Sequence, residues 1–198
     1  MDSKIIKFLS EIYMLKRNKH EGFRLSGVEH IDSLADHITC AAQIAYILGE
    51  MEGLDGTKCA SIVLFHDNGE ARIGDQHKVA ARYIDAHEGE TNAFLEQMDF
   101  LPDTIKNKII GLYNEYDKRN TPEGIVAKDA DWVEVAIQAK IYSEQGYQNL
   151  ENWIENVSTA VETKSAKEIM REVKNMKNFT TCWWEDLKKF RYKKIKQE

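Results

Sequence analysis

Residues 57–71 read Thr57-Lys-Cys-Ala-Ser-Ile-Val-Leu-Phe-His66-Asp67-Asn-Gly-Glu70-Ala71. The apolar run Ile62 to Phe65 leads directly into two side chains that bind metals well, His66 and Asp67. The run predicts a short, deeply buried helix over about 57–67, capped at its start by Asp55. Neighbours on a helix diverge by about 100°, so both residues reach one ion only where the chain is turning or where the ion lies between them. A His-Asp pair also serves as an ordinary helix cap, so the dipeptide alone leaves both roles open.

The segments on either side are helical too. The chain has two prolines in 198 residues, few runs of β-branched residues, and apolar residues spaced three and four apart. The expected fold is all-α, a compact single-domain helical bundle over residues 1–198. Upstream, Ile5, Phe8, Leu9 and Ile12 mark a helix over about 3–19, and Gly22 to Ile31 reads as a loop. Ser33 and Asp36 have capping-box spacing ahead of the stripe Leu34, Ile38, Ala41, Ala45 and Leu48. Downstream, a turn and a short helix are expected over 70–85, then helices over 88–98, 102–116, 122–145, 147–161 and 165–177. Pro102 and Pro122 stand at first helical turns, and Thr121 caps the second of these helices.

Composition sets the broad class. The chain is 42% hydrophobic and 30% charged with 11 Gly and 2 Pro, enough apolar material for one core and wrong for a disordered, collagen-like or linker protein. It has no run of 18 apolar residues and no signal-peptide pattern at its start, so a soluble, cytoplasmic protein without a membrane partner is expected. Cys40, Cys59 and Cys182 are too far apart for a C-x-x-C pair, which speaks for reduced thiols. Net charge is −6, but residues 188–198 hold six Lys or Arg against one Glu, leaving 21 basic and 32 acidic residues elsewhere, a net of −11. Such a body repels polynucleotides, and the basic tail reads as a solvated helix end. Trp153, Trp183 and Trp184 could serve a homodimer interface or the core equally well.

Two further residues stand out. His37 borders the buried stripe of its helix, where an imidazole needs a partner or a ligand. Asp131 lies in Val126-Ala-Lys-Asp-Ala-Asp-Trp-Val133 beside Trp132, where a divalent ion would stabilise a buried carboxylate. Together His37, His66, Asp67 and Asp131 form an H…HD…D pattern that resembles the HD superfamily of metal-dependent phosphohydrolases. Local strings resemble its 5′-nucleotidases: Leu15-Lys-Arg17, Gly22-Phe23, Asp32-Ser-Leu-Ala-Asp-His37, His66-Asp-Asn-Gly-Glu-Ala71, Gly74-Asp75 and Lys128-Asp-Ala-Asp131. They cover about residues 5–145, and the last fifty residues carry no matching string.

The resemblance implies an HD-type bundle that removes the 5′-phosphate of nucleoside monophosphates, deoxyribonucleotides above all, with the four residues as metal ligands. It assigns Glu70 to water positioning or proton transfer, Phe23 to a place near the sugar and Asp75 to the choice of deoxyribose, and it implies a homodimer. Arg17 and Arg24 are the phosphate-binding candidates ahead of His37, with Arg72 and Lys78 further cations after the His-Asp pair. Ser26 stands where related nucleotidases usually carry Arg. Independently of the resemblance, two imidazoles with two carboxylates suit Mn, Fe, Co, Ni or Zn better than Ca²⁺ or an all-oxygen Mg²⁺ site.

Other readings predict different outcomes. An alarmone or cyclic-nucleotide hydrolase would share the ligands, although Ala71 follows Glu70 where alarmone hydrolases usually have an acid. A nucleotide sensor would keep the metal without turnover, and a plain bundle with satisfied core polar groups would bind none. Glu70 would then be an exposed helix-end residue. His77 and His87 lie where two-metal HD proteins place extra ligands, but their polar surroundings favour surface loops and a single metal.

Overall fold

Ser33 accepts a hydrogen bond from the Asp36 amide, and the Asp36 carboxylate accepts from the Ser33 amide, so the expected capping box starts the central helix where the sequence puts it. The computed structural model describes residues 3–185 and 187 of the chain. Its helices are α1 (Ser3–Ile12), α2 (Leu34–Met51), α3 (Gly56–Leu64), α4 (Glu70–Ile73), α5 (Ala86–Met98), α6 (Asp103–Lys118), α7 (Pro122–Glu144), α8 (Glu151–Ala160) and α9 (Lys164–Asn175). Short 3₁₀ turns cover Tyr13–Lys16, Glu21–Ser26 and Ala80–Arg82. Among the described residues there is no strand, only an isolated bridge between Lys19 and Ser33. The fold is all-α.

Helix α7 is the axis. It packs on α2, α3, α6, α8 and α9, and Val126, Ala127, Ala130, Val133, Ala136 and Ala139 are fully buried along it. Small side chains let α2 come close, and the predicted stripe of α2, from Leu34 to Leu48, is buried throughout. A smaller cluster of Phe8, Phe94, Met98, Ile109 and Tyr113 joins α1, α5 and α6.

Several boundaries differ from expectation. The first helix stops at Ile12 and tightens into a 3₁₀ turn, and the loop at Gly22 contains another such turn. The third helix ends at Leu64, before His66. Pro102 lies ahead of α6 in extended geometry rather than in its first turn, whereas Pro122 opens α7 with Thr121 as its cap, as expected. The basic tail lies outside the described residues. No helix among the described residues is long and apolar enough to cross a membrane.

Candidate metal centre and its adjoining cavity

Four side chains from distant parts of the chain meet at one point. His37 comes from the first turn of α2, His66 and Asp67 from the turn between α3 and α4, and Asp131 from the middle of α7. Consecutive residues converge because the chain is turning there: the amide of His66 donates to Val63 O at 3.3 Å and that of Glu70 to Asp67 O at 3.0 Å. Gly69 makes the turn possible, since a Cβ there would lie 2.2 Å from the Glu90 carbonyl oxygen of α5.

The donor atoms are close to one another. His66 Nε2 lies 3.0 Å from Asp67 Oδ2 and 3.8 Å from Asp131 Oδ1, and His37 Nε2 lies 3.6 Å and 3.3 Å from the same oxygens. Such separations are those of ligands each about 2.0–2.2 Å from a shared ion. The other atom of three of these groups is already engaged. His37 Nδ1 donates to Glu134 Oε2 at 2.5 Å and His66 Nδ1 to Val63 O at 2.6 Å, which leaves each Nε2 lone pair facing the centre. Asp131 Oδ2 accepts from the Tyr116 hydroxyl at 2.5 Å and from Lys128 Nζ at 2.9 Å, which leaves Oδ1. Two oriented imidazoles and two carboxylates fit a divalent metal ion.

The electrostatics favour a cation. Burial lowers the proton affinity of His66, but Asp67 and Asp131 overcome it and hold the ring up to about 9. His37 is likewise held well above its ordinary value by Asp131 and Glu134 against the effect of burial. Burial pushes Asp131 up, yet Lys128 and the two histidines keep it well below the usual carboxylate range. Glu70 shows the opposite case. It is only 8% exposed, one of its carboxylate oxygens has no partner, and burial together with Asp67, Asp75 and Glu90 drives it well above its ordinary value. It lines the cavity of about 350 Å³ that holds the four donors.

The remaining predicted residues are distributed differently. Asp75 accepts from the Gly22 amide at 3.3 Å and lines an adjoining cavity. Phe23 is 1% exposed and packs under Trp153 and Tyr142, so it supports the wall of that cavity from behind. Arg24 is exposed and paired with Glu21, and Arg17 is exposed in a groove along α1 with Leu9, Tyr13 and Met14, so neither reaches the four donors. Arg72 is tied to Glu11 and Glu96. His77 accepts from the Ala80 amide at 3.0 Å, and His87 is exposed at the rim, 3.4 Å from Asp117.

Sequence reasoning had Lys128 only inside a motif string, with no role, and missed Glu134, Tyr116 and His20. Lys128 and Glu134 lie three residues before and after Asp131, a spacing that puts them near its face of α7 and was legible. His20, whose ring centroid is 4.5 Å from that of His37, and Tyr116 offer no local signal.

A family model described as an HD domain matches residues 12–174, and the chain belongs to that family. The match reaches well past the last motif string, through α8 and almost all of α9. The chain is 32% identical over 162 residues to a protein of Dictyostelium discoideum named 5′-deoxynucleotidase HDDC2, covering 77% of this chain and 84% of that one. It is 29% identical over 143 residues to the Xenopus laevis protein of the same name, covering 71% and 70%. A conserved hypothetical protein of Pyrococcus furiosus, of known structure, superposes with a TM-score of 0.73 at 30% identity over 86% of this chain and 99% of that one.

Proposed function

We infer that this protein is a metal-dependent 5′-nucleotidase that hydrolyses deoxyribonucleoside monophosphates, with the whole chain acting as one HD domain. The observation that carries the reading is the convergence of four donors beside the buried carboxyl of Glu70, one oxygen of which has no partner. Relatives named 5′-deoxynucleotidase match most of the chain and supply the substrate class.

His37, His66, Asp67 and Asp131 hold the ion, which is Mn²⁺, Fe²⁺, Co²⁺, Ni²⁺ or Zn²⁺ by the softness of the donors. When bound it supplies Lewis acidity, offsetting phosphoryl charge and making water more acidic. Glu70 accepts a hydrogen bond from the attacking water and takes its proton, a task suited to a carboxyl that burial has made more basic. Lys128, 2.9 Å from Asp131, adds positive charge beside the phosphoryl group. Asp75 faces the sugar from the adjoining cavity, where a carboxylate disfavours or selects hydroxyls by hydrogen bonding. As the water oxygen bonds to phosphorus the P–O5′ bond breaks, the proton taken up by Glu70 passes to the departing O5′, and the products are a deoxynucleoside and inorganic phosphate.

The test is phosphate release from ribo- and deoxyribonucleoside 5′-monophosphates by metal-stripped protein refilled with each ion. Release that requires the ion, prefers deoxyribose and falls by about 100-fold or more in Glu70→Ala with metal content unchanged is expected. Metal-loaded protein that releases no phosphate from any nucleotide overturns the reading.

A further inference from the structure

The metal cavity has a mouth of its own. His87, Asp117 and Arg119 stand exposed there, and none of them lines the cavity that holds Asp75. A phosphate dianion needs cations, yet those expected from the sequence do not line this cavity. Arg24 closes on Glu21, Arg72 on Glu11 and Glu96, Arg17 lies along α1, and Lys78 lines the other cavity. Lys128 and Arg119 take their place, and Arg119 is the only arginine among the described residues that lines either cavity. Its backbone closes α6 in the left-handed region, φ 47° and ψ 39°, a conformation costly for a residue with a Cβ and commonly given to Gly. Strain of this kind clusters at active sites and ligand clamps. The guanidinium lies 5.7 Å from the centre of the Trp132 ring, and its Nη1 meets Glu162 at 3.4 Å in an exposed pair. Its other N–H donors make no hydrogen bond among the described residues. Lys128 Nζ, 5.4 Å from the centre of the same ring, donates to the Tyr116 hydroxyl and to Asp131 Oδ2 and keeps one N–H to offer.

We propose that Lys128 and Arg119 form a path by which inorganic phosphate leaves the metal cavity, with Arg119 as an outer phosphate-binding site at the mouth between α5 and α6. The proposal rests on the nucleotidase reading for its ligand and adds the product's way out. With the nucleoside on the Asp75 side, the phosphate freed at the ion lies between the nucleoside and this mouth. Glu90 and Asp117 line the same passage and repel a departing dianion. An ammonium beside Asp131 and a guanidinium at the mouth offset that charge in two steps, and the planar guanidinium matches two phosphate oxygens at once. The exposed pair with Glu162 is weak enough to open for an arriving anion.

The experiment measures product inhibition by inorganic phosphate during hydrolysis of deoxyribonucleoside 5′-monophosphates, using metal-loaded wild type, Arg119→Gly and Arg119→Lys. Calorimetric titration of inorganic phosphate into the same metal-loaded proteins, without nucleotide, runs in parallel. Gly suits the backbone at position 119, so Arg119→Gly removes the side chain without unfolding the turn. The expected result is that Arg119→Gly binds phosphate about tenfold or more weakly in both assays, with metal content and melting temperature at wild-type values. Its kcat/KM for nucleotide, which is set before the product leaves, falls by a smaller factor. Arg119→Lys, which keeps the charge but loses the two-pronged contact, lies between. The proposal is overturned if Arg119→Gly binds phosphate as tightly as wild type. It is also overturned if kcat/KM falls by the same factor as phosphate affinity, because Arg119 would then hold the substrate and not the product. If no nucleotide is hydrolysed yet phosphate binds metal-loaded wild type and Arg119→Gly weakens it, the anion site stands and the nucleotidase reading fails. If metal-loaded wild type binds no phosphate, the proposal fails whether or not nucleotides are hydrolysed.

Discussion

The Glu134 carboxylate holds His37 Nδ1 at 2.5 Å across 97 residues of sequence, and in doing so it chooses which nitrogen faces the metal. In Glu134→Ala the ring is free to rotate and to change tautomer, so metal affinity should fall by about 10–100-fold while the fold persists. Metal content after dialysis against graded chelator checks this, and full retention of metal would remove Glu134 from the centre. The contrast with the ligands shows what a sequence discloses at this scale. His37, His66, Asp67 and Asp131 were legible because their residue types are rare in apolar surroundings and their order is distinctive. The groups that orient them were not, since Tyr116 and His20 look ordinary until the chain brings them within reach. Arg17 and Arg24 illustrate the converse: a cation is easy to see in a sequence, but the sequence does not say that Arg24 closes on Glu21 or that Arg17 lies along α1.

At the scale of the element, α7 carries unrelated tasks on different faces. Asp131 and Glu134 face the metal centre, whereas Asp129, 1% exposed, accepts from the amides of Glu162 and Thr163 at 3.0 and 2.7 Å and from the Thr163 hydroxyl at 2.6 Å. Asp129 thus fixes the turn between α8 and α9. Asp129→Ala would take the partner from these part-buried donors and should cost about 1–3 kcal/mol in urea unfolding. Further along the same helix, burial pushes the Glu144 carboxyl up, but the amides of Phe179 and Thr180, each at 2.8 Å, outweigh it and hold it below its ordinary 4.5. The stabilisation is therefore complete above about pH 4.5 and is lost as pH falls through the lower, folded value. Wild type should be more stable than Glu144→Gln at neutral pH, with the difference closing in acid. A constant difference across the range would contradict the tether. The Ser33 capping box fixed where α2 starts and its stripe from Leu34 to Leu48 was legible, although the helix runs on to Met51, and the stripe of the first helix did not disclose its end at Ile12. The end of α3 was missed because the turn at His66 depends on Gly69 fitting under α5, a contact between elements that periodicity does not encode.

For the whole molecule, the metal ligands come from α2, from the turn after α3 and from α7, so the centre exists only in the folded chain. An ion that binds the folded state alone stabilises it by about 2.7 kcal/mol at a hundredfold excess over its Kd. The melting temperature should accordingly rise with Mn²⁺, Co²⁺ or Zn²⁺ and fall with chelator, and His66→Ala should abolish the response. The class of fold was legible from composition and spacing, while the size and extent of the cavities were not, since they arise from what the packing leaves open. The negative character of the metal cavity carries one more implication. Asp67, Glu70 and Glu90 crowd its wall, and burial with Asp67 and Asp75 lifts Glu90 to about 7. A phosphate dianion approaching the stripped protein finds the cations of Lys128 and Arg119 on the same wall but faces the Asp67 and Asp131 carboxylates at the centre, and a bound ion offsets that charge. The ion therefore strengthens the binding of the nucleotide, and the nucleotide that of the ion. In steady-state terms the two ligands bind cooperatively, and isothermal titration of nucleotide into chelator-treated protein should show weaker binding than into metal-loaded protein.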